Sequence, residues 1–146
     1  MPGLEVYLPH SRPGRCTVGM TRVLVVDDDL GSRELLSEVL TANGYVVASV
    51  ADGVAAQEEL SRDGRYEIVI ADLRMPNGSG LDLLRDLRNG KRTEDLILMS
   101  SFMSGAEKRQ ALDLGAKALL EKPFKLTELL AVVGELAGQR TVGIKV

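Results

Sequence analysis

Short runs of consecutive apolar residues recur along the chain, and each is separated from the next by a stretch of helical periodicity. Four of these runs cover positions 23–26, 68–71, 96–99 and 118–120, and a less regular one covers 45–50. Continuous apolar runs of this length are typical of strands that are covered on both faces. The pattern therefore predicts five buried strands.

Between the runs, apolar positions recur at the spacing of amphipathic helices. The first predicted helix ends near Asn43, and its inner face is predicted to carry Leu35, Leu36, Val39 and Leu40. Further helices are predicted from Asp52 to about Arg62, from a Ser79 cap to about Asn89, from a Ser104 capping box to Gly115, and from Leu126 onward. Lys125 is a poor N-cap for the last of these helices.

Strand and helix alternate five times in this scheme. Such alternation predicts an α/β fold in which a doubly wound, five-stranded parallel sheet carries helices on both faces. In folds of this class, the functional site lies beyond the carboxyl ends of the strands.

Four of the predicted strands end at or next to side chains that can take part in chemistry. The first ends at Asp27 and Asp28, the third at Asp72, the fourth at Ser100 and the fifth at Lys122. Taken singly, the first pair most simply caps a helix and Asp72 caps a loop. In the same way, Ser100 is most simply a locally bonded hydroxyl and Lys122 a solvated lysine. Their joint occurrence favours a shared site, because parallel strands bring their carboxyl ends to one edge of the sheet.

Three carboxylates at one edge repel one another unless a cation joins them. Mg²⁺ suits such a group because it takes oxygen ligands and bridges carboxylates to phosphate. A lysine adds a point charge for phosphoryl oxygens, and a serine hydroxyl adds a donor. The set predicts phosphoryl transfer to a carboxylate nucleophile.

Composition narrows the remaining possibilities. A chain of 146 residues with 45% hydrophobic and 27% charged residues is typical of one globular domain. A net charge of −3 gives no electrostatic case for direct nucleic-acid binding, and no apolar run reaches the roughly 18 residues of a membrane span. Cys16 and His10 are the single cysteine and histidine, so a disulfide, a Cys/His zinc site and a Cys–His catalytic pair are excluded from the domain. With one cysteine and no possible internal disulfide, the composition fits the reducing cytoplasm.

The chain divides by composition into three parts. Residues 1–20 contain several prolines and glycines without clear periodicity, which predicts a flexible N-terminal extension. The folded domain is predicted to cover 21–139, and 140–146 to form a C-terminal tail. We expect either a single-domain protein or one domain of a longer protein.

Four separated motifs, VLVVDDD, IVIADLRMP, LILMSS and LLEKPF, occur in this order between about residues 21 and 138. In order and spacing they resemble the receiver domain of two-component response regulators. The resemblance implies a CheY-like fold with strand order 2-1-3-4-5. It also implies a phosphoryl group received from a sensor histidine kinase or a histidine phosphotransfer protein, an output partner of unknown identity, and a possible homodimer through the last two helices and the fifth strand.

Residue by residue, the resemblance makes Asp72 the phosphoacceptor. It makes Asp27 and Asp28 the acidic pair that serves Mg²⁺ together with Asp72 and the backbone carbonyl of Arg74. Ser100 matches the switch residue that turns toward the phosphoryl group.

Lys122 matches the lysine that pairs with the phosphoryl oxygens, and the resemblance implies a cis peptide bond between Lys122 and Pro123. Two positions depart from the family pattern. Leu119 stands where a tyrosine or phenylalanine is common as a second switch residue, and Ser101 stands where alanine or glycine is usual. We expect Leu119 to alter the coupling of the switch and Ser101 to slow access to the phosphoryl group.

Two alternatives remain open from the sequence. A haloacid-dehalogenase-like phosphatase would use the Asp-x-Asp of residues 27–29, with Asp27 as the nucleophile and Asp72 as a bystander. A receiver-like binding module that signals without phosphorylation would share the fold and not the chemistry.

Overall fold

The computed structural model describes residues 21–140, and for residues 139 and 140 it describes the backbone alone. The extension predicted for residues 1–20 and positions 141–146 of the predicted tail lie outside the described residues.

Strands and helices alternate throughout the described part of the chain. The strands are β1 (Arg22–Val26), β2 (Val46–Val50), β3 (Ile68–Asp72), β4 (Asp95–Ser100) and β5 (Ala118–Glu121). The helices are α1 (Leu30–Ala42), α2 (Gly53–Arg62), α3 (Gly80–Asn89), α4 (Gly105–Asp113) and α5 (Leu126–Arg140). Helix α5 thus reaches Arg140, the first residue of the predicted tail.

The five strands form one parallel sheet in the order β2-β1-β3-β4-β5. This arrangement confirms the predicted doubly wound α/β class and the strand order. Every residue of the central strand β3 is buried, whereas most residues of the edge strands β2 and β5 are only partly buried. Three of the four continuous apolar runs therefore mark buried inner strands, whereas the run at 118–120 belongs to a partly buried edge strand.

Each face of the sheet carries its own hydrophobic core. On one face, α1 and α5 pack through Leu36, Leu40, Leu129, Val133 and Leu136. On the other face, α2, α3 and α4 pack against alternate side chains of the same strands. The inner face of α1 was predicted too wide, because Leu35 is 49% exposed. Leu36 and Leu40, four positions apart, already fill the face that meets the sheet.

Side-chain caps begin the first four helices. Asp29, Asp52, Ser79 and Ser104 each accept a hydrogen bond from a backbone N–H in the first helical turn. At the start of α5, the carboxylate of Glu128 accepts a hydrogen bond of 3.0 Å from the backbone N–H of Lys125. That contact satisfies an end which looked poorly capped in the sequence.

Two further features bear on the sequence predictions. The Lys122–Pro123 peptide bond is cis, as the resemblance implies. Among the helices of residues 21–140, none is both long enough and apolar enough to cross a bilayer.

Candidate functional site

The carboxyl ends of β1, β3, β4 and β5 bring the predicted side chains to one edge of the sheet. Val26 of β1 pairs with Ala71 of β3, so the residues that follow them, Asp27 and Asp72, leave adjacent strands side by side. Asp72 in turn lies in register with Met99 of β4, one residue before Ser100. The site is thus a product of strand register.

Three carboxylates converge at this edge. Asp27 is fully buried, Asp72 is 8% exposed, and Asp28 is exposed to solvent. One oxygen from each lies within 4.8 Å of the others. Groups of like charge this close favour the binding of a cation.

Asp27 is the most constrained of the three. Its Oδ1 accepts a hydrogen bond of 2.9 Å from the backbone N–H of Asp29, whereas its buried Oδ2 has no hydrogen-bond partner within the described structure. Burial raises the pKa of Asp27 above its ordinary value, although the Asp29 N–H and the charge of Lys122 act in the opposite direction. Burial therefore disfavours the charged form of Asp27, and a cation beside the carboxylate would offset that cost.

Lys122 supplies part of that charge. Its Nζ donates a hydrogen bond of 2.7 Å to Asp72 Oδ2 and lies 3.7 Å from Asp27 Oδ2. Burial lowers the pKa of Lys122, but the hydrogen bond and charge of Asp72, with the charge of Asp27, outweigh it and raise the pKa above its ordinary value. Lys122 is therefore a fixed cation at the edge of the acidic group.

The residues present fit a hard divalent cation. The donors are carboxylate oxygens, which Mg²⁺ prefers, and the unpartnered Oδ2 of Asp27 is free to accept one more contact. The backbone N–H of Arg74 donates a hydrogen bond of 3.1 Å to Asp72 Oδ1, so this peptide folds back toward the acidic group. Metal ligation by the Arg74 carbonyl stays a prediction.

Ser100 is held locally in this conformation. Its hydroxyl donates a hydrogen bond of 2.6 Å to the Phe102 carbonyl and accepts one of 3.1 Å from the Phe102 N–H. The side chain is 1% exposed and lies one residue beyond the strand position that pairs with Asp72. The structure thus shows the local bonding of this hydroxyl, and its switch role stays a prediction.

The two departures from the family pattern occupy different surroundings. Leu119 is partly buried and packs against the core beneath α2, α3 and α4. Ser101 is exposed and lines a cleft of about 520 Å³ beside the acidic group. The same cleft is lined by Asp27, Ser32, Leu35, Leu36, Met99, Lys122, Pro123, Phe124 and Leu126. Ser101 therefore lies in the same cleft as Asp27 and Lys122.

Two arginine contacts at the site could not be predicted from the sequence. Arg33, on the first turn of α1, donates a hydrogen bond of 2.7 Å to the carbonyl of Asp27. The guanidinium of Arg74 donates two hydrogen bonds of 2.9 Å to the carboxylate of Glu107 in α4. Arg74 and Glu107 are 33 positions apart, and nothing in their local sequence pattern signals the contact.

The fold and the acidic group are those expected of a receiver domain. The sequence profile of the response regulator receiver domain family matches residues 23–134, which is most of the chain. The chain belongs to this family and is a signalling module of two-component systems.

Curated relatives agree with this assignment. The response regulator MprA of Mycobacterium leprae is 40% identical over 115 residues, which cover 79% of this chain and 50% of that protein. MprA of Mycobacterium ulcerans is 41% identical over 110 residues, which cover 75% of this chain and 47% of that protein. The chain thus spans about half the length of the curated relatives it matches.

Solved structures agree as well. A response regulator receiver protein from Pseudomonas putida is 33% identical, with a TM-score of 0.76 over 80% of this chain and 97% of that one. The response regulator TrrA from Thermotoga maritima, solved in complex with Mg²⁺ and BeF, is 32% identical, with a TM-score of 0.72 over 80% of this chain and 99% of that one.

Proposed function

We propose that the chain receives a phosphoryl group from a phosphohistidine onto Asp72 and thereby changes how an output partner binds it. The observation that best supports this proposal is the convergence of three carboxylate oxygens within 4.8 Å, with the Lys122 ammonium 2.7 Å from Asp72. An acidic group with one fixed cation suits acceptance of a phosphoryl group, given a divalent metal ion.

In the proposed reaction, an Asp72 carboxylate oxygen forms a bond to phosphorus as the bond from phosphorus to the donor imidazole nitrogen breaks. The electron pair of the broken bond stays on that nitrogen, and the product is an aspartyl phosphate. Lys122 exchanges its hydrogen bond with Asp72 for one to a phosphoryl oxygen and offsets the charge that gathers there.

Asp27 and Asp28, with Asp72 and the Arg74 carbonyl, would hold Mg²⁺. The bound ion supplies positive charge for the phosphoryl oxygens. Asp27 is pre-set for this task, because the Asp29 N–H and the Arg33 guanidinium fix its side chain and its backbone carbonyl.

The readout proceeds through Ser100. A new phosphoryl group adds about −1.5 to −2 charges and three strong acceptors at the strand ends. Ser100 can donate to one of these acceptors when it gives up the Phe102 carbonyl, which loosens the segment between β4 and α4. An output partner that binds one arrangement better than the other would sense the change.

The donor is a sensor histidine kinase or a histidine phosphotransfer protein. Two relatives support this part of the proposal: the MprA proteins are response regulators, and the TrrA structure holds Mg²⁺ with BeF, an analogue of a phosphoryl group. The receiver acts alone or within a longer regulator, and its chemistry is the same in both. The cytoplasmic location and the homodimer predicted from the sequence stay predictions.

Intact mass after incubation with Mg²⁺ and acetyl phosphate tests the proposal. We expect one phosphoryl adduct on the native chain, none on Asp72→Asn, and none on the native chain when a chelator removes Mg²⁺. Asp113→Asn changes an exposed carboxylate in α4 and is expected to leave the adduct intact. No adduct on the native chain, together with a failure to bind Mg²⁺, would contradict the proposal and favour a phosphorylation-independent binding module.

A further inference from the structure

The side chain of Arg74 bridges two segments that border the acidic group. Arg74 lies two residues after Asp72, and its guanidinium donates two hydrogen bonds of 2.9 Å to Glu107 in the first turn of α4. The side chains of Arg74 and Glu107 are 56% and 25% exposed, so the ion pair lies at the surface. Two parallel hydrogen bonds join the guanidinium to the carboxylate, which is the bidentate geometry of strong arginine–carboxylate pairs.

The Phe102 carbonyl connects this pair to Ser100. It accepts a hydrogen bond of 2.6 Å from the Ser100 hydroxyl and a longer one of 3.4 Å from the Arg74 guanidinium. The Phe102 carbonyl thus accepts hydrogen bonds from Ser100, the predicted switch residue, and from Arg74, two residues after the predicted phosphoacceptor.

Glu107 also belongs to the capping box of α4. Its Oε1 accepts a hydrogen bond of 3.0 Å from the backbone N–H of Ser104, and the Ser104 hydroxyl accepts one of 3.1 Å from the Glu107 N–H. The hydrogen bonds from Arg74 and Ser104 hold the pKa of Glu107 below its ordinary value. The first turn of α4 is therefore tied to the loop that follows β3.

We propose that Arg74 and Glu107 are positioning residues for phosphoryl transfer, and that Glu107 competes with a phosphoryl group on Asp72 for the Arg74 guanidinium. This inference rests on the proposed function of Asp72. In the unphosphorylated protein, the ion pair holds the segment between β4 and α4 in place. In the phosphorylated protein, the guanidinium turns to the phosphoryl oxygens and releases Glu107.

Charge and proximity support the exchange. The backbone N–H of Arg74 donates a hydrogen bond to Asp72 Oδ1, so Arg74 already contacts the carboxylate that would carry the phosphoryl group. A phosphoryl group offers about twice the charge of Glu107 and binds a guanidinium in the same paired geometry. Ser100 and Arg74 then both give up their hydrogen bonds to the Phe102 carbonyl, so the segment between β4 and α4 loses two contacts.

Glu107→Gln tests the competition without removing the cap, since glutamine also serves at this position of a capping box. The measurement is the apparent affinity for beryllofluoride at saturating Mg²⁺, followed by ¹⁹F NMR. We expect Glu107→Gln to bind beryllofluoride about two- to fivefold more tightly than the native protein, which is the range that loss of an exposed ion pair allows. Mg²⁺ affinity without beryllofluoride is expected to stay at the native value.

Glu128→Gln is the matched control. Glu128 accepts a hydrogen bond from the backbone N–H of Lys125 at the start of α5, so the substitution removes one negative charge at a similar helix position. It is expected to bind beryllofluoride with native affinity. Arg74→Gln breaks the pair and also removes the cation, so its affinity is expected to fall below that of Glu107→Gln.

The outcomes separate this inference from the proposed function. Native binding of beryllofluoride with no gain in Glu107→Gln would overturn the competition and leave the phosphoacceptor role intact. Equal gains in Glu107→Gln and Glu128→Gln would overturn it too, because a general charge effect would then account for both. A native protein that binds Mg²⁺ and fails to bind beryllofluoride would overturn the proposed function itself.

Discussion

Lys122 Nζ and Asp72 Oδ2 lie 2.7 Å apart although 50 positions separate the two residues. The sheet makes the contact possible, because β4 pairs with β3 on one side and with β5 on the other. The Lys122 N–H also donates a hydrogen bond of 2.8 Å to the Ser100 carbonyl, which fixes where the lysine leaves β5. One ammonium group thus lies against the buried carboxylates of two strands.

Replacing Lys122 by methionine is expected to destabilise the metal-free protein. Asp27 and Asp72 would stay buried and lose the cation that they share. Because the Lys122 side chain is itself partly exposed, we expect the free energy of unfolding to fall by about 1–3 kcal/mol. Urea unfolding measures the loss, and added Mg²⁺ is expected to restore part of it by supplying the missing positive charge.

The control is Lys108→Met, since Lys108 pairs with the exposed Glu121 at 3.6 Å. Its free energy of unfolding is expected to change by no more than about 0.5 kcal/mol. A Lys122→Met protein as stable as the native one, with or without Mg²⁺, would show that the lysine does not stabilise the acidic group.

Gly80→Ala is expected to disturb the strand end that carries Asp72. A Cβ at position 80 would lie 2.7 Å from the Asp72 carbonyl oxygen and 2.6 Å from Leu98 Cδ2. The leucine can move, but the backbone carbonyl has little freedom, so we expect a loss of about 1–3 kcal/mol in urea unfolding.

Gly105→Ala serves as its matched control, because Gly105 also follows a serine N-cap at the first position of a helix. A Cβ there meets no atom within 4 Å, and the substitution is expected to stabilise the protein by about 0.4–1 kcal/mol. Equal effects of the two substitutions would contradict the close approach of α3 to the strand end.

Much of the fold and of the candidate site could be predicted from the sequence, for a local reason. Asp27, Asp72, Ser100 and Lys122 each follow a short apolar run, and parallel strands deliver their ends to one edge. Strand periodicity and strand-end chemistry are both visible within a few residues of each position. Once the sheet is known to be parallel, the convergence of these side chains follows.

What could not be predicted depends on tertiary packing or on the reach of long side chains. The exposure of Leu35 follows from how α1 sits on the sheet, which periodicity alone leaves open. The pair of Arg74 and Glu107 joins the loop after β3 to the first turn of α4 through flexible side chains, so no spacing rule reveals it. The Glu128 contact at α5 has the capping-box spacing from Lys125, but lysine is not a residue that marks such a box.

Ser101→Ala is expected to speed dephosphorylation. Ser101 is exposed and lines the cleft beside Asp27 and Lys122, so a smaller side chain widens the path for a hydrolytic water. Decay of the phosphoryl adduct, followed by intact mass, gives the rate, while the free energy of unfolding should stay within about 0.5 kcal/mol of native. Ser61→Ala, an exposed change in α2, is the control, and equal decay in all three proteins would dismiss the role of Ser101.

Stability is expected to fall in acid partly through Asp52. Its carboxylate caps α2 by accepting from the Ala55 N–H and also accepts from Asn77, and these bonds hold its pKa below the ordinary value of 3.8. Because the folded pKa is the lower one, the stabilisation is present above the unfolded value and is lost as the pH falls through the folded pKa. Asp52→Asn, which can still cap the helix, should show a shallower loss in urea unfolding across this range. Parallel curves for native and variant would contradict the assignment.

The most direct test of the central claim is to locate the phosphoryl group on the chain. Borohydride reduces an acyl phosphate to the alcohol, so a phosphorylated aspartate becomes homoserine, which tandem mass spectrometry can place in a peptide. After incubation with Mg²⁺ and acetyl phosphate, homoserine is expected at position 72 and nowhere else. Homoserine at position 27 would contradict the account, since Asp27 would then be the nucleophile, as in a haloacid-dehalogenase-like phosphatase.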